Sequence, residues 1–275
     1  MARAIERIER DIAAIKEAIR AIAVELQNAY ASYLNTLGLA VRKQLILASY
    51  HLCTQGYPEN FLHLSLNQRQ QLQQAIRKLG QVASEQLLAC IKSEEVKEDE
   101  GDGPVISSSS SGLLDTSNSQ SFTADTSNPI ELVKWQQNLE EVTQEILKKL
   151  SHDANVLIQK SGVLPKKLPE PILAAAAAAS ETSGEVMPGP PNLLNLVIEI
   201  ENEQQSEDSG LTQIMAINLR LGEIEFADVT LSSERRQIRS ILVQLNKQER
   251  EYQKKHREKA IAEAEAAWRA SWFED

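Results

Sequence analysis

From Ile5 onward the apolar positions fall at Ile5, Ile8, Ile12, Ile15, Ile19, Ile22, Leu26, Ala29 and Tyr33, in alternating steps of three and four. This is a heptad seam with isoleucine at both core positions of its first repeats, so it predicts one long helix of coiled-coil character. Charged residues such as Glu6, Arg7, Arg10, Lys16 and Glu17 fill the outer face. Such a stripe either packs on later helices of the same chain or joins chains together. Past Tyr33 the apolar face widens through Leu34, Leu37, Val41, Leu45 and Ile46, the pattern of a more enclosed helix. Gly56, Tyr57 and Pro58 predict a stop, with a turn running on to Ser65.

Ser65 and Gln68 have the spacing of a capping box. The helix they open carries Leu72, Ile76, Leu79, Val82, Leu87, Leu88 and Ile91 on one side. Residues 1–93 are therefore expected to form a long helix and an antiparallel helical hairpin. At residue 94 the pattern ends. Residues 94–127 carry eight acidic residues against Lys97 alone, together with an unbroken serine run from Ser107 to Ser111. A segment so poor in apolar surface cannot offset its ordering entropy, and a disordered linker is expected.

Periodicity returns at Asn128 and Pro129, which read as N-cap and first helical residue. Leu132, Trp135, Leu139, Val142 and Ile146 make residues 128–161 a third helix, suited to completing a three-helix bundle. Pro165, Pro169, Pro171, Pro188, Pro190 and Pro191 surround a run of alanines, so residues 162–192 read as a second linker. Residues 193–275 then change period from 3.6 to 2. Alternation around Leu196–Ile200, Ile217–Leu221 and Ile224–Phe226 predicts three short strands. A small antiparallel sheet needs a cover, and a helix capped by Ser232 or Ser233 would supply it in a βββα unit. Beyond Leu245 that helix is polar nearly all round. The fold class expected is mainly α with a small β element.

Composition narrows the function classes. Aromatic residues make up 4% of the chain and the formal charge is −10, which suits helix seams and argues against a surface built for duplex nucleic acid. No stretch is long and apolar enough to read as a membrane span, and the charged N-terminus does not read as a signal peptide, so a cytoplasmic setting is expected. Cys53 and Cys90 lack metal-ligand or disulfide spacing and read as small buried hydrophobes. His51 and Cys53, two residues apart, point to different helix faces, which spoils them as a metal pair. No P-loop, GxGxxG, GxSxG or HExxH occurs. Catalytic, cofactor and metal residues are accordingly none.

What remains are contact surfaces. The isoleucine seam (Ile5, Ile8, Ile12, Ile15, Ile19, Ile22) suits a protein partner or a second copy of the chain. At the other end, Trp268 and Trp272 share a helix face four residues apart, with Phe273 beside them, as aromatic anchors for a partner or for the protein's own core. Residues 234–260 carry a net +5, so Arg235, Arg236, Arg239, Lys254, Lys255 and Arg257 are candidate polyanion contacts. Few aromatic rings accompany them, which argues against RNA. The stretches Phe61–Gln70 and Ala266–Phe273 resemble segments of uncharacterised cyanobacterial helical proteins, which implies a bacterial cytosolic setting and transfers no functional residue. The function expected is a non-catalytic scaffold or adaptor. An RNA- or ribosome-associated factor and a peripheral membrane or stalk component are the rivals.

Overall fold

The computed structural model describes residues 2–92, 128–165, 189–200 and 210–271. Helix α1 spans Ala2–His51 and widens directly into a π-helical turn at Leu52–Gly56. Where a turn to Ser65 was expected, Pro58 at the first helical position starts a short helix α2, Pro58–His63. Helix α3, Leu66–Lys92, begins at the predicted capping box. The Ser65 backbone N–H donates to Gln68 Oε1 at 2.8 Å and the Gln68 N–H donates to Ser65 Oγ at 3.3 Å. The acidic linker expected at 94–127 lies outside the described residues, as do residues 166–188 of the second linker. Helix α4, Pro129–Lys160, starts with the Ile130 N–H donating to Asn128 Oδ1 at 3.1 Å, the cap read from the sequence.

The chain divides into two compact units. One comprises Met1–Ala31, Ala89–Glu140 and Arg236–Asp275; the other comprises Ser32–Leu88 and Glu141–Arg235. In the first, the buried residues include Ile12, Ile19, Ile22, Leu26 and Tyr30 of α1, Leu132, Trp135 and Leu139 of α4, and Ile238, Ile241 and Leu245 further on. Tyr30 and Trp135 meet edge to face with centroids 5.5 Å apart, and the Tyr30 hydroxyl donates to Glu140 Oε1 at 2.6 Å. Trp135 is thus a core residue.

In the second unit α1 and α3 form the expected antiparallel hairpin, and two glycines explain how closely they approach. A β-carbon at Gly38 would overlap the Ser84 hydroxyl, and one at Gly80 would lie 3.4 Å from side-chain atoms of both Arg42 and Leu45. The helix-weakening residue at 38 is there for interhelical contact.

The sheet differs from expectation. It has two strands, β1 (Leu193–Ile200) and β2 (Gly210–Ile217), paired antiparallel with Leu193 opposite Ile217. The second strand therefore ends where the sequence suggested that it begins. Ile214, Ala216 and Ile217 are all buried, so both faces of β2 contribute to the core and the period-two signal is diluted. The expected third strand folds as helix α5, Leu221–Ala227, in which Ile224 is buried while Phe226 is 90% exposed. One buried apolar residue is too little to hold a strand, whereas the N–H groups of Glu223 and Ile224 both reach the Arg220 carbonyl, at 3.1 Å each.

Helix α6, Val229–Ala270, is capped by Asp228 rather than by Ser232 or Ser233. Asp228 Oδ1 accepts from the N–H groups of Thr230 at 2.9 Å and Leu231 at 3.3 Å. Ser232 instead donates its hydroxyl to the Glu225 carbonyl at 2.6 Å.

The edge of β2 away from β1 is closed by side chains. The Tyr57 hydroxyl accepts from the Met215 N–H at 3.0 Å and donates to its carbonyl at 3.2 Å. Asn155 does the same for Ile217, at 2.8 and 2.9 Å. Ser151 Oγ takes the Leu219 N–H at 2.9 Å. Unpaired strand edges invite pairing with other chains, and here the side chains of Tyr57, Asn155 and Ser151 supply the missing partners.

Candidate protein-interaction surface

Among the described residues, the sequence-predicted contacts lie on the first half of α1 and along α6. Of the isoleucine seam, Ile12, Ile19 and Ile22 are buried within the chain, while Ile5, Ile8 and Ile15 are half-buried. The cause is on α6. Tyr252, Lys255, Lys259, Ala262 and Ala266 are half-buried and spaced by three and four, so they form one helical face. Two ion pairs tie that face to α1: Lys255 to Asp11 at 3.1 Å and Lys259 to Glu9 at 2.8 Å. Hydrogen bonds to Glu258 and Asp11 hold the Lys255 ammonium above the usual lysine value. Lys259 is raised in the same way, first by Glu9.

The part of α6 that reads as polar all round therefore contains a seam after all. Two of its three large members are lysines, whose methylene stems can cover apolar surface while their charged ends reach carboxylates. Hydropathy counts them as polar, which is why periodicity hid the seam.

The candidate polyanion contacts divide into two groups. Arg235 is turned inward, where its Nε donates to Glu225 Oε1 at 2.7 Å, its guanidinium donates to the Tyr33 hydroxyl at 2.7 Å, and its Cζ lies 4.5 Å from the Tyr33 ring centroid. Lys255 is engaged with Asp11 and Glu258. For these two, acidic partners within the chain take up the charge. Arg236, Arg239, Lys254 and Arg257 are exposed.

Toward the end of α6 a different face opens to solvent. Ile261 is 51% exposed and Trp268 is 67% exposed, and with the exposed Ala264 between them they follow the i, i+3, i+7 spacing of one stripe. Trp272 and Phe273 lie outside the described residues.

Sequence reasoning missed one further feature, a cavity of about 320 Å³ beside the π-helical turn. Its deeper wall is built from Ser49, Cys53, Leu72 and Ile76, all buried, and its rim from exposed Ile46, Tyr50, Thr54, Gln73 and Arg77. Burial raises the Cys53 thiol to about 11, so it stays protonated at neutral pH. The one available sequence signal was Gly56–Tyr57–Pro58, which marks the end of the helix and says nothing of the wider turn before it.

Among the described residues, no cluster of three or more His, Cys, Asp or Glu could hold a metal ion, and no helix is long and apolar enough to cross a membrane. Compared with known proteins, the chain matches no family model, no curated protein and no solved structure.

Proposed function

We propose that this protein is a non-catalytic, cytoplasmic scaffold or adaptor that holds a protein partner on the terminal part of α6. The observation that carries the reading is the exposed stripe of Ile261, Ala264 and Trp268, on a helix whose half-buried face is tied to α1. Tryptophan is prominent among residues that anchor interfaces, and an amphipathic helix laid in an apolar groove uses this spacing. In the sequence Trp272 follows Trp268 by four residues, the i, i+4 spacing of a helix face.

The test is affinity capture with wild type beside Trp268→Ala/Trp272→Ala, after circular dichroism has shown equal helix content. A partner retained by wild type and lost from the variant supports the reading. Identical partner lists refute it.

Self-association through the early seam is the second reading, favoured by the half-buried state of Ile5, Ile8 and Ile15. It predicts a larger mass by light scattering for the full chain than for one lacking residues 1–30, and a monomer in both samples contradicts it. Exposed Arg236, Arg239, Lys254 and Arg257 keep RNA or an anionic membrane as rivals. A salt-sensitive mobility shift with RNA would favour the one, and co-flotation with liposomes the other.

A further inference from the structure

The cavity between α1, the π-helical turn, α2 and α3 is independent of the α6 surface, and its chemistry is specific enough to read. Leu72, Ile76 and Phe61 give it apolar walls. Phe61 is held by Arg69, whose guanidinium carbon lies 5.4 Å from the ring centroid and whose nitrogens donate to the carbonyls of Phe61 and Leu62 at 3.2 and 2.6 Å. Of the hydroxyls that line it, those of Ser49 and Thr54 are spent, since Ser49 Oγ donates to the Leu45 carbonyl and Thr54 Oγ1 to the Tyr50 carbonyl, both at 2.7 Å.

The polar groups left to a ligand stand at the rim. Gln73 and Arg77, one turn apart on α3, have side chains without a hydrogen bond or ion pair to any described residue. No acidic residue lines the cavity. Its volume falls in the range of about 300–1,000 Å³ usual for small-molecule sites, which are mostly apolar with a few oriented polar groups. The wall from Leu52 to Gly56 is a π-helical turn closed by the Tyr57 N–H on the Leu52 carbonyl at 3.0 Å, an irregularity frequent at functional sites.

We propose that this cavity binds a small aliphatic monocarboxylate, with its chain against Leu72 and Ile76 and its carboxylate held at the rim by Arg77 and Gln73. A carboxylate offers a guanidinium two charged acceptors, whereas a hydroxyl offers one uncharged acceptor and an ammonium none. The apolar walls make affinity depend on chain length.

Isothermal titration of the full chain with octanoate, hexanoate, octan-1-ol and octylammonium tests this. Octanoate should bind with one site. Hexanoate should bind about sixteenfold more weakly, at roughly fourfold per methylene. Arg77→Gln, a change at an exposed position, should lower octanoate affinity about tenfold or more and leave octan-1-ol unchanged. Thr54→Trp, which blocks the rim, should abolish octanoate binding while thermal unfolding shows the variant folded. No saturable binding of octanoate to wild type would overturn the proposal. So would equal affinity for octylammonium, unchanged affinity in Arg77→Gln, or unchanged affinity in a folded Thr54→Trp.

Discussion

Around β2, Tyr57, Asn155 and Ser151 each give their polar atoms to backbone groups of Met215, Ile217 and Leu219. Along the start of α1, Glu9 and Asp11 give theirs to Lys259 and Lys255 near the surface. The two units thus use polar side chains in opposite ways. In the second unit they replace missing strand partners, where an unmade hydrogen bond in a buried site costs about 1–3 kcal/mol. In the first they decorate a seam, where exposed pairs contribute little. The second unit, so built, has one backbone arrangement. The first can exchange surface partners at small cost, and that is where the proposed docking stripe lies.

The sharpest way to break this comparison is to remove a buried charge from the second unit. Arg235 and Glu225 have side chains only 12% and 16% exposed. Arg235→Ala removes the cation paired with the Glu225 carboxylate, leaving that carboxylate the Tyr33 hydroxyl as a neutral donor, and also removes the guanidinium that lies over the Tyr33 ring. A loss of roughly 3–5 kcal/mol is expected in urea unfolding, with the midpoint lowered and the slope unchanged.

Next in size is Asn192, which is fully buried and holds φ at +61°. Its Oδ1 accepts from the Arg220 N–H at 3.1 Å and its Nδ2 donates to Gln44 at 3.1 Å. Asparagine tolerates this left-handed backbone better than most residues. Asn192→Ala should cost about 2–3 kcal/mol, combining lost hydrogen bonds with strain. Asn192→Gly loses the same bonds without the strain, so its thermal midpoint should fall less.

Smaller again is an alkaline effect at Cys53. Its folded pKa of about 11 lies above the ordinary 9.0, so the unfolded chain loses this proton first. Stability from this group is therefore complete below pH 9 and declines as pH rises toward 11. Cys53→Ala should flatten the fall in thermal midpoint between pH 8.5 and pH 10.5 relative to wild type.

The smallest effect belongs to the surface pairs of the first unit. Lys255→Gln/Lys259→Gln should leave the thermal midpoint at pH 7 almost unchanged. The raised pKa of each lysine places any contribution below the alkaline range, fading above the ordinary value of 10.5. Added salt should erase what difference remains, since exposed charges are screened.

The contrast also explains what the sequence disclosed. The helices α1, α3 and α4 were legible because burial repeats along them, and their starts were legible because Ser65, Gln68 and Asn128 act within three residues of themselves. The features that shape the second unit act across the chain. Tyr57 serves a residue 158 positions away, and Asn155 serves one 62 positions away. A single polar residue serving a distant backbone leaves no period to detect. The seam on α6 was hidden for a different reason, because lysines stand where hydropathy expects leucine. Of the candidate surface, Trp268 was legible as an aromatic residue near a terminus, while the cavity beside the π-helical turn was not.

Native-state hydrogen exchange on the full chain tests the comparison most directly. The account predicts that the amides of Met215, Ile217 and Leu219, each bonded to a side chain of Tyr57, Asn155 or Ser151, exchange only through the slowest opening of the molecule. It predicts that α6 amides between Gln253 and Ala270 exchange at least about 100-fold faster, consistent with local opening cheaper by about 2.7 kcal/mol. Equal protection in the two segments, or slower exchange in α6, would contradict it.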